Sequence, residues 1–134
     1  MSNQKIRKDA QDILDALDSP DAELSIVIVN DDEIATMNQT YLNRPGPTNV
    51  IAFAMREGAY ADISPQLLGD VVISIETAYR ESEAAGIDPL KRFDQLLVHG
   101  ILHLFGYDHE TQDSDTAGME EKSEELLKLI QKGD

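Results

Sequence analysis

All three histidines of this 134-residue chain fall in one run, LLVHGILHLFGYDHE, from Leu96 to Glu110. His99 and His103 are four apart, so on a helix they leave the same face, one turn above the other. Gly106 can end that helix in a left-handed conformation, and the returning chain can bring His109 toward the first two. Three imidazoles converging from a helix and the loop after it make a zinc site with an open fourth position. A metal held this way lowers the pKa of a bound water to about 7, or polarises a carbonyl or phosphoryl oxygen. The expected cofactor is therefore one Zn²⁺ per chain on His99, His103 and His109, and the expected chemistry is metal-assisted hydrolysis of a bond not yet named. Another divalent metal that accepts three imidazoles would fit the same residues. A single buried histidine is usually a hydrogen-bonded core residue, and HxxxH alone arises by accident. Spacings of 0, +4 and +10 with a glycine at +7 are far more specific.

Metzincin proteases share the spacing as HExxHxxGxxH, where the glutamate after the first histidine is the general base. Here that position is Gly100. Glycine cannot take a proton, and it is a poor helix former. What it offers is room, for a close backbone or for a bulky substrate at the metal. This argues against a metzincin-type peptidase mechanism.

The elements that must position these residues read as follows. Residues 4–17 form a helix closed by Ser19-Pro20, and Glu23–Asn30 (ELSIVIVN) is a β-branched run fit for a buried strand. Asn30 or Asp31 caps a helix through Leu42, which stops before the Pro and Gly of NRPGPT. Asn49–Met55 and Leu67–Ile75 are further strands, with a loop between them. A fourth strand, an edge hairpin near Met55–Tyr60, is possible. Glu76–Gly86 is a helix, Pro89 opens the long histidine helix, and a final amphipathic helix runs from about Thr116 to Ile130. Strands alternating with helices predict an α/β (α+β) fold: a small mixed sheet of about four strands covered by helices. The histidine helix is apolar nearly all round, so it is expected to be the central buried helix.

The length suits one domain spanning residues 1–134, with a core that needs no disulfide. No cysteine is present, which removes thiolate ligands and a cysteine nucleophile together and leaves histidine as the main transition-metal ligand. MSNQKIRKDAQDIL holds no apolar signal-peptide core, and no stretch approaches membrane-spanning length; a soluble cytoplasmic protein with no membrane partner is expected. With 26 acidic against 11 basic residues the formal charge is −15. That balance opposes a broad non-specific grip on nucleic acid but leaves room for one local basic cleft. Lys91, Arg92, Arg80, Arg56 and Arg44 would answer the objection if several lined one side of the site. The acidic tail EEKSEELL reads as a solvated helix face.

Beyond spacing, HGILHLFGYDHE resembles the HGxLHLxGYDH signature of the YbeY family of bacterial rRNA maturation factors. PTNVIAF (Pro47–Phe53) is similar to that family's PT(D/N)VLSF, and LGDVVIS (Leu68–Ser74) to its LGDIxIS. The likeness runs roughly from Ile26 to Leu127. The histidine signature is highly specific, and the other two segments would be weak alone. The resemblance implies a zinc-dependent, single-strand-specific endoribonuclease that acts in maturation of the 3′ end of 16S ribosomal RNA and in ribosome quality control. Its implied partners are single-stranded ribosomal RNA and the ribosome or small-subunit proteins. By position, the zinc ligands carry over to His99, His103 and His109.

Two departures bear on the helper residues. Many family members carry an arginine directly after the tyrosine of YRGxDxPT, whereas Tyr41 here is followed by Leu42. The nearest arginine, Arg44, is the candidate substrate-binding residue, its guanidinium suited to a phosphate; a solvated loop arginine is the plain alternative. The serine of VLSF is replaced by Ala52. Asp70 could orient a metal-bound imidazole or simply end its strand, and Asp108 and Glu110 flank the third ligand. No catalytic general base is assigned. Two competing functions are a metal-dependent peptidase or amidohydrolase, and a ribosome-associated assembly factor whose metal is mainly structural.

Overall fold

Short apolar strands and a helix that is apolar nearly all round form the architecture seen in the computed structural model, which describes residues 3–54, 67–106 and 113–132. The element order is α1 (Asn3–Ala16), β1 (Glu23–Val29), α2 (Asp31–Leu42), β2 (Val50–Ala54), β3 (Leu67–Ser74), α3 (Ile75–Ala85), α4 (Pro89–Leu104) and α5 (Asp113–Lys132). The sheet is mixed, in the order β1-β3-β2, with β1 parallel and β2 antiparallel to the central β3. The expected α+β class therefore holds, with three strands among the described residues. The candidate fourth strand, Met55–Tyr60, lies outside them.

Alternation divides β2 and β3 between two layers. Val71 and Ile73 of β3 and Val50, Ala52 and Ala54 of β2 face α4, in a core shared with Ile13 and Leu14 of α1 and Leu126 and Ile130 of α5. Val72, Ile51 and Phe53 face the other way, onto Ile34 of α2. Helix α4 is the central buried element, as expected: Phe93, Leu97, Val98, Ile101 and Leu102 are all at most 1% exposed. No helix among the described residues is long and apolar enough to cross a membrane.

The helix ends are set by local chemistry. Asn30 leaves the strand and caps α2, accepting from the Glu33 amide at 2.8 Å while its own amide donates to the Glu33 carboxylate at 3.2 Å. Ser74 likewise ends β3 and caps α3, so Ile75 belongs to the helix. Asp88 and Pro89 start α4. Gly106 stops the chain after α4 at φ +92°, the left-handed conformation expected of it. Gly69 sits at φ +147°, where a Cβ would run into the Phe53 carbonyl oxygen and Leu104, so β2 and β3 pack closely only with glycine there.

Candidate metal centre

Helix α4 presents His99 and His103 on one face, both half-buried, with their Nε2 atoms 3.1 Å apart and ring centroids 4.6 Å apart. Two nitrogens each 2.0–2.1 Å from one tetrahedral metal would lie about 3.3 Å apart. The pair is thus close to the spacing two ligands need, without moving the helix. A hydrogen bond between two neutral imidazoles would also span 3.1 Å, one ring donating and the other accepting. Among the described residues, no third His, Cys, Asp or Glu completes a metal-binding group. His109, with Asp108 and Glu110, lies outside the described residues.

The two rings open onto a groove of about 320 Å³ between α4 and the chain running from the end of α2 into β2. Arg44 lines it, together with Leu42, Thr48, Asn49 and Ala52. The position of Arg44 is built locally. Asn43 ends α2 in the left-handed region at φ 55°, and the Arg44 amide donates to the Asn38 carbonyl at 3.2 Å. The buried Asn38 side chain donates to the Gly46 carbonyl at 2.9 Å, which ties down the rest of the turn. Arg44 itself is exposed. So Arg44, His99 and His103 meet on one groove, as do Leu42 and Ala52, the two positions where the chain departs from the family pattern.

Gly100 faces β3. A Cβ there would lie 2.6 Å from Val71 Cγ1 and 3.2 Å from Val50 Cγ2. Both kinds of room are present: helix and sheet approach closely here, and Gly100 also lines the groove beside His99 and His103. A glutamate side chain at this position would have to begin inside the core, which removes the metzincin base on steric grounds as well.

A second recess, of about 270 Å³, shares Asn49, Val50 and His99 with the first and continues along α4 past Gln95 and Arg92. Arg92 is held there: Nε and Nη2 each reach Glu81 Oε1 at 3.0 Å, and Nη1 donates to Gln95 Oε1 at 2.8 Å. The Asn49 amide donates to the same carboxylate at 3.3 Å. Of the other cations considered, Arg80 is engaged with Asp31 at 2.7 Å, Lys91 is exposed on α4, and Arg56 lies outside the described residues. Asp70 pairs with Phe53 across β2 and β3 and follows the alternation of Val72, so it belongs to the face turned from α4. Asn49, Glu81 and Gln95 escaped the reading of the sequence. The spacing of Arg92, Gln95 and His99 at i, i+3 and i+7 was a usable signal for one shared helix face.

The family described as Endoribonuclease YbeY matches residues 1–131. The chain belongs to the YbeY family. The Geobacter sulfurreducens Endoribonuclease YbeY is 47% identical over 134 residues, covering 99% of this chain and 89% of that protein. The YbeY of Syntrophotalea carbinolica is 48% identical over 134 residues, covering 96% and 89%. In fold, the chain is similar to the solution structure of TM1509 from Thermotoga maritima, with a TM-score of 0.65 at 24% identity over 97% of this chain and 84% of that one. The first two histidines of the YbeY signature, His99 and His103, thus sit on the central helix of a shared α+β fold.

Proposed function

We propose that this chain is a zinc-dependent endoribonuclease that cuts single-stranded RNA, acting on ribosomal RNA in 3′-end maturation and ribosome quality control. Membership of a family named for endoribonuclease activity supports the reaction class. The observation that carries the metal is the convergence of His99 and His103 Nε2 at 3.1 Å on a groove lined by Arg44.

His99 and His103, with His109, would hold the metal. Bound there, zinc would supply Lewis acidity and a water acidified to near neutral pH. Arg44 would take a phosphate of the strand through its planar fork. A recess of about 320 Å³ has room for one nucleotide splayed from a single strand. No carboxylate lines this groove among the described residues, so proton transfer is assigned to none of them.

The test is cleavage of matched single-stranded, duplex and peptide substrates by wild type and His103→Ala. Cutting of the single strand alone, lost in the variant, is the expected result. Cleavage of the peptide alone would favour the peptidase reading. Binding to small subunits with no cleavage of any substrate would favour an assembly factor.

A further inference from the structure

We infer that Arg92 forms a second phosphate subsite, so that a single strand is gripped on both sides of the histidine pair. The inference rests on the ribonuclease reading and extends it to the path of the strand. The two recesses meet at Asn49, Val50 and His99, with Arg44 in one and Arg92 in the other. Arg92 stands seven residues before His99, about 10 Å along the helix axis. A strand stacked at ~3.4 Å per nucleotide covers that distance in about three nucleotides.

Arg92 is ordered before any ligand arrives. Glu81 engages its Nε and Nη2, and Gln95 engages Nη1. Two of its five N–H groups, on Nε and Nη1, are hydrogen-bonded and Nη2 is ion-paired with Glu81, so N–H groups remain on both terminal nitrogens for phosphate oxygens. Because Glu81 and Gln95 fix the plane of the guanidinium, little side-chain freedom is lost on binding. Asn49, tied to the same carboxylate, sits where the two recesses join. In a chain of net charge −15, cations placed at the groove decide where an anionic strand can lie. Ser123 and Leu127 of α5 form the far wall of the recess.

The experiment uses the full chain and 2′-O-methyl uridylates, which resist hydrolysis, with fluorescence anisotropy read across a salt series. R92Q is expected to weaken binding of an octanucleotide by about three- to tenfold at low salt. The slope of log Kd against log salt should fall by about 0.7, the value for one phosphate contact on a single strand. For a dinucleotide, too short to reach from His99 to Arg92, the change should stay below about twofold. Ser123→Lys, which adds a cation to the opposite wall, should tighten the octanucleotide and leave the dinucleotide within the same limit. It carries the test if R92Q lowers the melting temperature. An equal loss at both lengths in a normally melting R92Q, or an unchanged salt slope together with no gain in S123K, overturns the subsite. If wild type binds neither oligonucleotide, the ribonuclease reading fails and the subsite fails with it. If wild type binds and R92Q matches it, the subsite alone is lost.

Discussion

Arg44 and Leu42 stand on the same groove as the histidine pair, which makes the family's missing arginine a question of two neighbouring residues. Removing a charged contact to phosphate costs roughly tenfold or more. Arg44→Ala should therefore lower kcat/KM for single-stranded RNA by about tenfold with zinc content unchanged. Leu42→Arg in that background should restore part of the loss, because a guanidinium then returns to the groove from the other position. Steady-state cleavage of the two variants checks this, and unaltered cleavage in Arg44→Ala would make Arg44 a solvated loop residue. Gly100 makes a prediction of opposite sign to helix propensity. Alanine should gain up to about 1 kcal/mol as a helix former. Its Cβ would instead meet Val71 Cγ1 at 2.6 Å, and Val71 is a buried, β-branched residue of the central strand that cannot turn away. Overpacking of this kind costs about 1–3 kcal/mol, so Gly100→Ala should be less stable by roughly 1–2 kcal/mol in urea unfolding. The sequence showed that position 100 lacked a base. It could not show that the position faces the sheet, because that depends on which strand lies beneath the helix.

At the scale of elements, one carboxylate ties α2 to α3. Asp31, in the first turn of α2, accepts from Ser74 and Thr77 hydroxyls at 2.6 Å each and from Arg80 at 2.7 Å. The Ser74 hydrogen bond, then those of Thr77 and Arg80, lower its pKa from 3.8 to about 2. A depressed carboxylate stabilises the fold fully above its unfolded value, and the contribution is lost as pH falls through the folded value. Stability should thus decline between about pH 4 and pH 2, and Asp31→Asn should be less stable at pH 7 and flatter across that window. Urea midpoints measured at several pH values check it, and an unchanged profile in the variant would place the dependence on other groups. Several helix ends were legible, since Asn30 or Asp31, Pro89 and Gly106 each announce one through side-chain or backbone chemistry, while the parts of Glu33 and Asp88 emerged only in the fold. The bond from Asp31 to Arg80 spans 49 residues and leaves no periodic trace in the chain.

Across the whole molecule, a chain of net charge −15 sets Arg44 and Arg92 in two adjoining recesses beside His99. The α+β class followed from strands that alternate with helices along the chain, and the burial of α4 from an all-round apolar helix. The order β1-β3-β2 did not, because strand order depends on long-range pairing that local pattern does not encode. The same limit applies to Arg92: as a residue it was one of five candidate cations, and only the packing of α3 and β2 beside α4 sets it against Glu81 and Asn49. The central claim is that His99 and His103, with His109, hold one divalent metal. It is tested most directly by metal analysis of purified wild type and His103→Ala. The account predicts about one zinc per chain in wild type and almost none in the folded variant. Wild type without stoichiometric metal, or a variant that keeps its full complement, would contradict it.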